Sequence, residues 1–233
     1  MSVDGGSELP MAMARCQATP VRCQDQSIQR LNFKAVPATG AVTDETLTPG
    51  ESTFVDARGG GLMTPEAYVY ARFSPAGLVK VDLTDEQALS SMDWDIAFRR
   101  FVIRLNAGVS GPSCVLAART APSTTFATLT RVPPDLEWRT EAYFAGDLCE
   151  YVADPSGIGG PATVLSSYWK YQQCVQTTEN VYVLHLRDDR YVKFEVLSYY
   201  DPMPQAVCNS TGMVPMANGA ATFRIRWAFI PGP

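Results

Sequence analysis

The residues that could do chemistry are few, and their scarcity is informative. The chain has a single histidine, His185, set inside the apolar run Val181-Tyr182-Val183-Leu184-His185-Leu186. A Ser/His/Asp triad therefore has little support, and no Gly-x-Ser-x-Gly elbow is present to supply the nucleophile. Paired carboxylates occur at Asp93/Asp95 and Asp188/Asp189. The first pair flanks a tryptophan and the second reads as a hairpin turn, and neither lies in a calcium-loop pattern. Gly59-Gly60-Gly61 is not followed by the Lys-Ser/Thr of a phosphate-binding loop. No enzymatic activity is expected, and no metal site. Thioethers remain as soft ligands: Met203, Met213 and Met216 fall together in a Pro-rich segment. A methionine can serve as an axial haem ligand, although it is also a general filler of apolar gaps. Tyr143, Tyr151, Tyr168 and Tyr171 flank an irregular central region. A tyrosinate can bind ferric haem, but aromatic residues in a β domain are usually core or rim.

The six cysteines, Cys16, Cys23, Cys114, Cys149, Cys174 and Cys208, form no Cys-x-x-Cys pair. That excludes zinc-ribbon and thioredoxin-like readings, and one histidine rules out the usual Cys/His zinc sites. An even, widely spread set fits disulfides in an exported protein, the alternative being buried free thiols in a cytosolic one. Six cysteines allow about 15 pairings, of which the local Cys16–Cys23 is the one expected. The net charge of -5 and the absence of any basic cluster beyond Arg99-Arg100 argue against a nucleic-acid partner. No apolar run is long enough to span a membrane, and the first ten residues lack the basic and apolar regions of a signal peptide.

The elements that must position these residues are mostly strands. Residues 1–29 read as an irregular N-terminal tether and 30–233 as a single β domain. Leu31-Asn32-Phe33 and Thr53-Phe54-Val55 are short strand candidates. Tyr68–Phe73 and Leu78–Asp82 flank the turn Ser74-Pro75-Ala76-Gly77 as a hairpin. Thr84 and Gln87 form a capping box, which starts a short helix near 84–92. In the stretch Met92–Cys114, Phe101, Ile103 and Leu105 alternate with Arg100, Val102 and Arg104, predicting one strand with one buried face. Trp94 and Phe98 should plug the core. Asn106 and Gly108 suit a strand end that needs a left-handed residue. Cys114–Ala118 should run antiparallel to that strand. Residues 121–165 are broken by Pro and Gly, and a binding site is expected to draw on them. Val181–Arg187 and Tyr191–Ser198 form a second hairpin around Asp188-Asp189-Arg190, and Thr222–Phe229 is the last strand. Nothing else reads as helical. The fold class is all-β, with two mostly antiparallel sheets and one short helix.

The order of these segments resembles one family. Val55-Asp56-Ala57, Tyr68–Phe73 and Val79-Lys80-Val81-Asp82 precede the run from Trp94-Asp95-Ile96-Ala97-Phe98 to Arg104-x-Asn106-x-Gly108. Trp169-Lys170-Tyr171, Glu179–Leu184, Tyr191–Asp201 and Thr222–Trp227 follow in order. Over roughly residues 53–230 the chain is similar to the HmuY family of exported haem-binding outer-membrane lipoproteins. The resemblance implies two antiparallel sheets folded over each other, with a haem pocket at one end. It also implies an extracellular or outer-membrane location, with membrane attachment only through a lipid anchor outside this sequence. The partner would be haem or another small hydrophobic ligand, in iron acquisition, or else a surface protein partner of the same scaffold. Family members hold haem iron by two His, or by Met, from loops that match about 120–178 here. Those loops contain neither residue type in this chain. His185, Met213 and Met216 are the remaining cofactor-binding candidates.

Overall fold

The computed structural model describes residues 16–60, 65–215 and 218–233. Helix α1 (Gln24–Arg30) precedes the short strands β1 (Val42–Asp44) and β2 (Thr53–Asp56). The hairpin β3 (Val69–Ser74) and β4 (Gly77–Val81) leads to helix α2 (Asp85–Ala88). Strands β5 (Ile96–Arg99), β6 (Val102–Leu105) and β7 (Leu116–Arg119) follow, then the two-residue strands β8 (Phe144–Ala145) and β9 (Glu150–Tyr151). The hairpin β10 (Trp169–Tyr171) and β11 (Val175–Thr177) comes before β12 (Val181–His185) and β13 (Tyr191–Ser198). Helix α3 (Pro202–Thr211) and strand β14 (Thr222–Ile230) close the chain.

Two antiparallel sheets face one another. The larger has the order β1-β2-β14-β13-β12-β7, and the smaller β4-β3-β5-β6. Their inner faces share one apolar core, in which Phe73 meets Trp227 at 5.1 Å between ring centroids and Phe98 meets Phe223 at 5.6 Å. The period-2 patterns of β13 and β14 place Val192, Phe194, Val196, Phe223, Ile225 and Trp227 in that core, which is what drives the two sheets together. The all-β expectation holds, with the 68–82 hairpin, the 181–198 hairpin and the final strand where the alternation put them.

Several expectations are corrected. The run from Ile96 to Leu105 is a hairpin: Arg99 pairs with Val102, and Arg100 turns the chain at φ 52°. Trp94 and Phe98 lie in different layers, Phe98 between the sheets and Trp94, ahead of β5, on the outer face of the smaller one. Cys114 bridges to Ala107 just beyond that hairpin, and the stretch after it joins the larger sheet as β7 beside β12. The capping box is present, with Thr84 Oγ1 accepting from Gln87 N, but α2 stops at Ala88. Residues 31 and 32 form a turn and 33 is irregular, so no strand forms there. Helices α1 and α3 were not expected. For α3 the cues lie at its ends, Pro202 in the first turn and Gly212 at φ 75° as its left-handed cap.

The disulfide pairing is corrected as well. Cys16 joins Cys114, Cys23 joins Cys149 and Cys174 joins Cys208, so the local Cys16–Cys23 bond is not formed. Two of the bonds fasten the segment from residue 16 to 31 onto the β domain. Their separations of 98 and 126 residues put them among the long loops, whose closure removes the most entropy from the unfolded chain.

Asn106 has a different role from the expected one. Gly108 carries the left-handed conformation, at φ 58°, while Asn106 works through its side chain. Fully buried, its Nδ2 donates to Ser91 O at 3.0 Å and Trp94 O at 2.8 Å, and its Oδ1 accepts from Ser113 N at 3.1 Å. A Cβ at Gly111 would lie 2.1 Å from that Oδ1, so only glycine lets the turn close on the amide. Asn106→Ala would strand one donor and two acceptors. Chemical denaturation should show it less stable by about 3 kcal/mol.

Candidate functional site

Three grooves meet where β7 and β12 leave the larger sheet. The first, of about 380 Å³, is lined by Arg119, Asp154, Ser167, Trp169, Lys170 and Tyr171 among others. A second, of about 450 Å³, shares Arg119, Ser166 and Ser167 and continues past Arg139 and Val164. The third, of about 600 Å³, shares Thr178 and Asn180 and runs along Thr120–Ala127 to Glu195 and Arg226. All three are lined in part by the irregular 121–165 region.

The first groove owes its shape to the β10–β11 hairpin and its anchors. Ser167 O accepts from Thr178 Oγ1 and Asn180 Nδ2, each at 2.7 Å, and Ser167 Oγ meets Tyr182 Oη at 2.7 Å. Burial pushes the Tyr182 phenol up to about 12, so it stays a neutral hydrogen-bonding group. On its other side the hairpin is clamped to α3. The Cys174–Cys208 bond, Gln176 Nε2 on Cys208 O at 3.0 Å and Gln205 Nε2 on Val175 O at 3.0 Å tie the two together. Trp169 is buried against Phe101, with ring centroids 5.2 Å apart, while Tyr171 at the strand end is 43% exposed. Arg119 and Lys170 flank these rings and make no side-chain hydrogen bond or ion pair among the described residues. A groove with an aromatic wall, one open phenol and two uncommitted cations suits a flat apolar ligand that carries carboxylates.

The four tyrosines separate clearly. Tyr143 and Tyr168 are fully buried, and Tyr168 Oη donates to Phe101 O at 2.7 Å. Tyr151 Oη donates to Gly159 O at 2.9 Å. Only Tyr171 presents its ring to a groove while exposed. Exposure depends on where a hairpin ends, which the sequence does not announce.

The other candidates lie elsewhere. His185 sits at the opposite end of β12 from Val181, which lines the third groove, so about 13 Å of strand separates it from the grooves. Its ring stacks on Tyr191 at 4.5 Å and its Nε2 is 3.2 Å from Asp189 Oδ1. Met213 follows α3 and is 60% exposed, and Met203 is 78% exposed. Met216 lies outside the described residues. His185 and Met213 are not brought together. No group of three or more His, Cys, Asp or Glu that could hold a metal ion occurs among the described residues.

Beneath the second groove lies Glu141, fully buried. Its carboxylate accepts from Leu105 N at 2.9 Å and Val164 N at 3.1 Å, joining β6 to the groove wall. Burial pushes its carboxyl up to about 7 against the pull of those two N–H groups. Asp95, also buried and accepting from Phe73 N, is pushed up to about 6.

The fold and the grooves define a two-sheet β scaffold with loops and grooves gathered at one end. The profile of the HmuY protein family matches residues 64–211. The chain belongs to the HmuY family. Three solved structures are similar to it. A chain from Bacteroides vulgatus, named as an HmuY-like haem-binding protein, is 17% identical with a TM-score of 0.46, covering 81% of this chain and 95% of that one. A chain from Bacteroides fragilis, named as a lipoprotein, is 15% identical with a TM-score of 0.45, covering 80% and 93%. The apo form of an HmuY analogue from Tannerella forsythia is 15% identical with a TM-score of 0.41, covering 86% and 99%. No curated protein matches the chain.

The buried carboxyls set a pH dependence. Each has a folded pKa above its unfolded value, so the native state holds more protons between about pH 4 and 7. Their contribution is fully present below pH 4 and is lost as pH rises toward 7. Denaturation midpoints of the wild type should therefore fall across pH 4.5–7. In Glu141→Gln that slope should flatten, by up to about 3 kcal/mol of stability change over the window.

Proposed function

We propose that the protein is an exported HmuY-family binding protein that takes haem or a related tetrapyrrole in the groove beside Trp169 and Tyr171, in the service of iron acquisition. The observation that carries this reading is the open Tyr171 phenol beside a buried tryptophan, flanked by the uncommitted Arg119 and Lys170. The rings offer apolar contact to a macrocycle face, the two cations suit its propionates, and a phenolate can ligate ferric iron. Haem would supply a redox-active, strongly coloured iron centre. The protein's part is to hold it and to shield its faces, without turning over a substrate. With no His or Met in the 120–178 loops, Tyr171 is preferred as ligand over His185, Met213 and Met216.

The three disulfides support export, since such bonds persist in oxidising compartments. No helix among the described residues is long and apolar enough to cross a membrane. An outer-surface location with a lipid anchor accords with both observations.

A second reading, a non-haem module on the same scaffold, is favoured by the groove along Thr120–Ala127. Its lining of Thr120, Thr124, Thr178, Glu179 and Asn180 offers hydrogen bonds rather than apolar contact. Titration with haemin separates the two readings. A Soret shift with micromolar or tighter affinity is expected, altered in Tyr171→Phe and unchanged in His185→Ala and Met213→Ala. No spectral change in either redox state would leave only the second reading.

A further inference from the structure

Arg104, on β6, has no exposed surface. Its guanidinium is walled by aromatic rings, those of Tyr68 at 4.2 Å, Phe33 at 4.9 Å, Trp94 at 5.8 Å and Tyr70 at 5.9 Å. One nitrogen, Nη2, donates to Tyr70 Oη at 3.1 Å. Nε and Nη1 have no hydrogen-bond partner among the described residues, and the same is true of the buried Ser110 Oγ and Tyr143 Oη. Ser110 Oγ lies near enough to Tyr143 Oη to act on it, but neither oxygen reaches hydrogen-bond geometry with a partner among the described residues, and the Arg104 charge acts on the Tyr143 phenol. Phe33 links the two sides, packing both on the ring cluster around Arg104 and on the cluster that holds Tyr143.

The chemistry of these groups leans toward donation, since the guanidinium offers two unpartnered nitrogens and no acceptor. A guanidinium can only donate, and both hydroxyls can donate as well. Buried donors of this kind are almost always satisfied in native proteins, and a buried cation calls for a negative counterpart. The nearby carboxylates are engaged. Glu141 accepts from two backbone N–H groups. Asp85 accepts from Lys34 N, Tyr68 N, Tyr70 Oη and Arg99 Nη1. The complement is therefore a compact acceptor carrying negative charge. We propose that a single halide ion, with chloride as the abundant one, is held among Arg104, Ser110 and Tyr143 beneath the aromatic cage. It gives the guanidinium a counter-ion and gathers the free donors around one centre. A water there would accept from two donors at most and bring no charge.

Crystals of the full chain in sodium bromide, measured at the bromine edge, locate the ion. An anomalous peak within hydrogen-bond reach of Arg104 and Ser110 is the expected result, and density there without anomalous signal marks a water and overturns the proposal. Thermal melts at pH 6 and constant ionic strength, with chloride exchanged for gluconate, give the functional reading. At this pH Glu141, its carboxyl pushed up to about 7, is mostly protonated. The melting temperature should be higher in saturating chloride by roughly 5 °C, and Ser110→Ala should fold but lose at least half of that shift. Equal melting in both salts, or a shift undiminished in Ser110→Ala, overturns the proposal and reduces any bromide peak to an adventitious ion only.

Discussion

A carboxylate taken out of water has to be paid for in hydrogen bonds, and Asp85 shows how the smaller sheet is built around that demand. It sits at the first position of α2 with no exposed surface. Four donors reach it at 2.8–2.9 Å: Lys34 N from the N-terminal segment, Tyr68 N just before β3, Tyr70 Oη on β3 and Arg99 Nη1 on β5. Arg99 also donates to Leu31 O and lies over the Tyr68 ring at 4.1 Å. Removing any one donor would leave a partly paired buried charge, which costs far more than a surface ion pair is worth. The N-terminal segment, α2 and the β3–β5 ladder are therefore held as a unit. The outer face of this sheet, rich in Tyr and Arg, is as fixed as the apolar face turned to the core.

The larger sheet is arranged differently. Its inner face is buried by aromatic and branched residues, yet β7 and β12 end in loops whose hydrogen bonds run to one another and to α3. That leaves grooves with defined walls and polar floors. The Cys174–Cys208 bond removes a large part of the freedom that a two-strand hairpin would otherwise have. The proposed ligand contact falls at this end, while the Trp94–Cys114 stretch serves as frame. Glu141 spans the two regions, since it holds Leu105 of the frame and Val164 of the groove wall.

What could be read in the sequence follows from how local each feature is. The alternation in Tyr191–Ser198 and Thr222–Phe229, the capping box at Thr84 and the two evident hairpins depend on near neighbours, and they stand as read. The turn at Arg100 was hidden because the apolar/basic alternation runs through it with no Gly, Asn or Asp to mark a reversal. Helix α3 was hidden because Pro202 and Pro204 look like loop residues until Pro202 is seen to occupy the first turn. Disulfide partners 98 and 126 residues apart depend on the whole fold. The site follows the same rule. Residues 121–165 were marked as a region a binding site would draw on, but nothing set Tyr171 apart from Tyr143, Tyr151 and Tyr168 until their burial was known.

The division between frame and ligand end is open to hydrogen–deuterium exchange of the intact, oxidised chain with and without haemin. Slowed exchange should be confined to residues 154–156 and 166–180, with 92–114 unchanged. Protection centred on 92–114 or on the segment around Met213, or no protection anywhere, would contradict the account.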